Sequence, residues 1–126
     1  MRVRIQVERA EDGYVFRLTE SQHHLLVNSL AALSESIGSP EELDLLLGPA
    51  GRGLEEVLSR AQHAETGSRR VVRATVGQAH AFHALLSVIP SLFGGEQTFH
   101  SRIGAYRENA LAMAGGMLTA VRELPH

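Results

Sequence analysis

The sequence predicts a single α+β domain, residues 1–126: a small three-stranded antiparallel sheet from residues 2–8, 14–19 and 70–76, with four main helices packed on one face. Three observations carry this. Apolar and polar residues alternate with period two in those stretches, amphipathic helical spacing fills the segments between them, and an ungapped shift of 56 positions lays the second half of the chain over the first. A chain of 126 residues holds one core and buries roughly two-thirds of the surface its unfolded form exposes, so it needs no covalent staple.

The elements follow in chain order. Val3, Ile5 and Val7 alternate with Arg2, Arg4, Gln6 and Glu8, the pattern of a strand with one wet face. Ala10-Glu11-Asp12-Gly13 supplies turn chemistry, with Gly13 free to take a positive φ, and Tyr14, Phe16 and Leu18 then alternate with Val15, Arg17 and Thr19. A β-hairpin is expected. The hydroxyl of Thr19 or Ser21 suits the N-cap of a helix running from residue 20 to Ile37, on which Leu25, Leu26, Ser29, Leu30, Leu33 and Ile37 form one stripe. His24, Asn28, Ala31 and Glu35 fall opposite, facing away from the core. Gly38 stops this helix, and Ser39-Pro40-Glu41-Glu42 starts a short one ending near Leu47, because the cap, the proline and the acids each suit a helix N-terminus. The run Gly48 to Gly53 breaks it, and helical spacing resumes over Leu54 to Ala64. Glu65-Thr66-Gly67-Ser68 reads as a linker and Val71 to Val76 as a strand.

Under the shift of 56, Val15/Val71, Arg17/Arg73, Thr19/Thr75, Gln22/Gln78, His24/His80, Leu30/Leu86, Gly38/Gly94 and Gly48/Gly104 are identical, and the apolar columns stay in register. Two strand–helix–helix pseudo-repeats, 14–64 and 70–123, are therefore expected, related by a pseudo-two-fold axis. The second long helix carries Ala79, Ala81 and Ala84 around its main stripe, so it is expected to be covered all round, as a dimer interface would do. The helix from Glu108 to Val121 holds Gly115 and Gly116, each costing about 1 kcal/mol relative to alanine. Close packing on the Leu54–Ala64 helix, or on a second subunit, would compensate.

Composition narrows the function. The absence of cysteine removes disulfide frameworks, thiol catalysis and Cys-ligated metal sites. Twelve Lys and Arg against 14 Asp and Glu give a net charge of −2, too little positive field to make nucleic acid a partner. The beginning of the sequence alternates where a secretory signal would be continuously apolar, and no apolar run reaches membrane-spanning length, so a cytoplasmic protein with no membrane partner is expected. No Walker loop, GxGxxG or GxSxG motif occurs, and Gly48 to Gly53 lacks the lysine and hydroxyl of a phosphate cradle. No cofactor is expected.

Histidine is the remaining reactive type. His80 and His83 share a helix side at i, i+3 and, with His100 in a connector, form the candidate metal set, although no carboxylate–histidine motif accompanies them. His24 and His80 occupy one column of the repeat and would make a symmetric or pH-sensitive contact if one surface held both. Arg69, Arg70 and Arg73 form one small basic cluster and Arg102 with Arg107 another.

Leu25-Leu-Val-Asn28-Ser-Leu30 and the later Phe99-His-Ser-Arg102-Ile-Gly104-Ala-Tyr-Arg107-Glu108-Asn-Ala110 resemble small uncharacterised bacterial proteins that carry an Asn-Ala-Leu helix and a Phe-x-x-Arg-Ile/Leu-Gly-x-x-Arg-Glu-x-Ala segment. Ser29 stands where that pattern has alanine, and the two pieces lie in different halves of this chain. The resemblance implies a partner-binding protein of immunity or antitoxin type and supplies no catalytic residue. The expected function is non-enzymatic binding of another protein, such as a toxin, through His24, Asn28, His80, Arg102 and Arg107, with a homodimer as a further expectation. The alternative is a histidine-based metal- or small-ligand-binding protein with enzymatic activity.

Overall fold

The computed structural model describes residues 4–63, 69–93 and 95–125. It is α+β, with six α-helices and an open four-stranded antiparallel sheet in place of the three strands and four helices expected. The strands β1 (Gln6–Ala10), β2 (Gly13–Leu18), β3 (Gln62–His63) and β4 (Arg70–Thr75) lie in the order β1-β2-β4-β3. Val3 and the Glu65–Ser68 linker lie outside the described residues.

Alternation places Val7, Phe16 and Val72 in one row across the sheet, paired neighbour to neighbour, and Phe16 and Val72 are buried in the core. Tyr14, Leu18 and Ala74 share that face and also pack in the core. On the other face Glu8 pairs with Val15 and Val15 with Arg73, while Arg17 makes an ion pair with Glu8 at 2.9 Å. The hairpin turn is Glu11-Asp12. Gly13 does not need a positive φ, contrary to expectation: it is required because a Cβ there would lie 2.1 Å from the Ala74 carbonyl oxygen of the neighbouring strand.

The fourth strand replaces the end of an expected helix. Helix α3 (Leu54–Ser59) stops near Arg60, where the Ala61 N–H turns back to the Leu58 carbonyl, and Gln62 and His63 then pair with Val71 and Arg70. The open β4 edge supplies those hydrogen bonds, and they outweigh a helical pattern with no C-cap signal.

Helix α1 (Glu20–Ser36) opens with a capping box: the Thr19 hydroxyl accepts from the Gln22 N–H, and the Gln22 side chain accepts from the Thr19 N–H. Helix α4 (Val76–Val88) opens with the same box formed by Thr75 and Gln78. Helix α2 (Pro40–Leu47) is capped by Ser39 and ends at Gly48, whose φ is 84°. A 3₁₀ turn over Pro49–Gly53 leads into α3. Helix α5 (Glu96–Ile103) occupies what was expected to be a connector, and burial of Phe99 and Ile103 holds it in place. It ends at Gly104, with φ 80°, and α6 (Arg107–Arg122) follows.

Helix α4 is central. It packs on α1, α2, α3, α6, β2 and β4, so its many apolar faces are covered within the chain, which corrects the expectation that a dimer interface covers them. Helix α1 packs on α3 and on α5, whereas α4 packs on α6 and on α2. Each long helix therefore rests partly on the short helix of the other half of the sequence. Helix α6 packs on α4, α5 and β1 rather than on α3, which corrects the expected helix pair.

Candidate docking groove

The outward face of α1 and the near side of α6 enclose an open groove of about 1270 Å³. Ile5, Leu25, Ile103, Met113 and Ala120, all buried, form its apolar floor. His24 and Asn28 line one wall, and Leu111, Ala112 and Gly115 the other. His100 and Tyr106 close one end with their rings 4.6 Å apart. A groove of this size exceeds the roughly 300–1000 Å³ of most small-molecule pockets.

Helical spacing sets the α1 wall. Residues 24, 28, 31 and 35 fall opposite the buried stripe as expected, and all four are exposed. The Asn28 amide nitrogen donates to the Ile103 carbonyl at 2.9 Å. Beyond Ile103, the left-handed Gly104 turns the chain beside Asn28, and a Cβ at Gly104 would lie 3.7 Å from that amide nitrogen. At the first turn of α6 the Asn109 side-chain oxygen accepts from the Tyr106 N–H at 2.8 Å.

At the start of α1, Glu20 gathers three partners. Arg70 donates to it at 2.9 Å, His63 stands 3.6 Å away and His24 4.0 Å. The Arg70 hydrogen bond is the main cause holding the Glu20 carboxyl below its ordinary 4.5.

The expected site residues separate into groups. His24, Asn28 and His100 meet in the groove. His80 lies elsewhere, exposed on α4 beside Gly48, where an added Cβ would be 3.8 Å from its Nδ1. His83 is half-buried one turn on, and its carbonyl accepts from the Ser87 hydroxyl. His100 is therefore on a different surface from His80 and His83, and among the described residues no three His, Asp or Glu side chains are grouped to hold a metal ion. Arg102 pairs with Glu35 and lies over the Phe93 ring at 5.5 Å. Arg107 donates to the Phe93 carbonyl and covers Phe99 at 5.9 Å. Both arginines are engaged within the chain.

Sequence reasoning passed over two polar groups. His23 is buried, and its Nε2–H donates to the Leu58 carbonyl at 3.0 Å, leaving Nδ1 buried without a partner. The Glu20 cluster draws on α1, β3 and β4, and only its Glu20/His24 i, i+4 step was readable in sequence.

Comparison with family models, curated proteins and solved structures gives no match. Among the described residues, no helix is long and apolar enough to cross a membrane.

Proposed function

We propose that the chain is a non-enzymatic protein-binding module and that the groove between α1 and α6 docks an apolar helix from a protein partner. One observation carries this reading: Leu111 and Leu118 of α6 stand exposed at 53% and 41%, and Leu111 opens onto a groove larger than most small-molecule pockets. His24, Asn28, His100 and Tyr106 give that floor the polar rim typical of protein interfaces. The resemblance to small uncharacterised bacterial proteins implies an immunity or antitoxin type, the sharpest form of the reading, in which the partner is a toxin. The identical capping boxes at Thr19 and Thr75, and the glycine stops at Gly48 and Gly104, support reading 14–64 and 70–123 as two copies of one unit.

A photo-crosslinking residue placed at Leu111 in cells tests the groove, with the same residue at Leu45 as control. Leu45 on α2 is 86% exposed, so non-specific stickiness would label it at least as well. A discrete protein adduct at Leu111 and none at Leu45 is expected. Equal labelling at both sites, or none at Leu111, overturns the reading.

A further inference from the structure

We infer that the helix docked at this groove is α6 of a second copy of the chain, packed antiparallel on the exposed stripe of α6 that borders the groove, about a two-fold axis close to Gly115. The inference rests on the groove being a helix-docking surface and adds the identity of its occupant.

Helix α6 carries two stripes. Ala110, Met113, Ala114, Met117 and Ala120 are buried against the chain's own core. Glu108, Leu111, Gly115, Leu118 and Arg122 follow one another at spacings of three, four, three and four residues, and all five are exposed. That alternation is the seam by which one helix packs along another. The single chain leaves the seam uncovered from end to end.

Gly115 lies at its centre. A Cβ added at neighbouring Gly116 would meet Ile5 at 3.5 Å, so the chain's own packing accounts for that glycine. A Cβ at Gly115 would meet nothing within 4 Å. A mid-helix glycine costs about 1 kcal/mol relative to alanine, and no neighbour among the described residues gives a reason for it. A second helix crossing closely at this point does.

The charges choose both the occupant and its direction. Glu108 lies seven residues before Gly115 and Arg122 seven after, and neither has an ion-pair partner among the described residues. Antiparallel packing of two copies sets each Glu108 against Arg122 of the second copy, at both ends of the contact. Parallel packing would set like charges together. Leu111 of one copy then lies beside Leu118 and Thr119 of the other, and the pairing is self-complementary, as a two-fold interface requires.

Light scattering across a size-exclusion peak, over a dilution series of the full chain, gives the first measurement. Twice the chain mass of 13.7 kDa is expected at high concentration, falling on dilution. Glu108→Arg and Arg122→Glu should each weaken self-association about tenfold or more, because each sets like charges together at both ends. Mixing these two variants should restore a particle of two-chain mass, since the mixed pair again opposes Arg to Glu at each end. A variant that had merely unfolded could not be rescued in this way. A chain that stays monomeric, or a dimer indifferent to both charge reversals, overturns the inference. The crosslinking result separates the two proposals: a Leu111 adduct with a different protein, from a monomeric chain, keeps the docking groove and removes the second copy as its occupant.

Discussion

Gly13 and Gly104 are both glycines for backbone reasons, but the reasons differ in kind and so do their consequences. Gly104 has φ 80°, a left-handed conformation in which a Cβ is disfavoured by about 1–2 kcal/mol, while the nearest foreign atom stands 3.7 Å away. Gly13 has ordinary φ, but a Cβ there would fall 2.1 Å from the Ala74 oxygen and 2.6 Å from the Thr75 Cα. Those are backbone atoms of the paired strand, so relief requires parting β2 from β4. Urea unfolding of Gly104→Ala should show a loss of about 1 kcal/mol, and Gly13→Ala a larger one. Equal losses would mean that the strand shifts at little cost. Sequence marked Gly13 as a turn position and matched Gly104 to Gly48, which opens a helix-breaking run, through the shift of 56. For Gly13 the reason lies in β4, more than fifty residues away, where no local pattern reaches. His23 was obscure on the same grounds: its burial depends on the Leu58 carbonyl, and a histidine beside an exposed histidine gives no sign of which one turns inward.

At the scale of elements, legibility followed the density of local signals. Helices α1 and α2 each carry a cap, a stop and a stripe, and they formed near the expected bounds. Helix α5 begins at Gly95 with no side-chain cap, and strand β3 has only two residues, both exposed, so neither announced itself. The ion pairs joining elements show where acid should act. Arg70 holds Glu20 below its ordinary 4.5, chiefly by a hydrogen bond, and Arg52 holds Asp44 below 3.8 in the same manner. A carboxyl lowered on folding binds fewer protons folded than unfolded. Its stabilisation is complete above the unfolded value and is lost as pH falls through the folded one. Unfolding followed against pH should therefore show stability level above 4.5 and declining below it, less steeply in Arg70→Gln. Both pairs keep at least a quarter of each side chain in contact with solvent, so added salt should shrink the difference. An unchanged acid limb in Arg70→Gln would assign the decline to other carboxylates.

The whole molecule is more interlocked than its sequence order suggests. The class α+β and the face of the sheet that holds the core were readable from periodicity, but the exchange of α5 onto α1 and α2 onto α4 was not, because spacing within a helix carries no information about which neighbour it meets. The groove is a product of that exchange: α1 supplies one wall and the α5–α6 segment the other. His24 and Asn28 were singled out from α1 and His100 from the second half, yet only the fold sets them around one space. Neither half holds a complete core, since β2 pairs with β4 and α4 touches most of the other elements. Fragments 1–63 and 69–126 should each give circular dichroism with little cooperative melting, and an independently folded fragment with the native helix content would show that one half suffices.

The exchange of short helices also sets a schedule for synthesis on the ribosome. The first hairpin and α1 emerge while β4 and α5, their partners in the sheet and on the helix flank, are still untranslated. Leu25, Leu26, Leu30 and Leu33 of α1 then have only β2 and α3 to pack on, and the rest of their apolar face stays in water until α4 and α5 arrive. Folding of this chain is a late event that waits for its second half, whatever the helical propensity of its first.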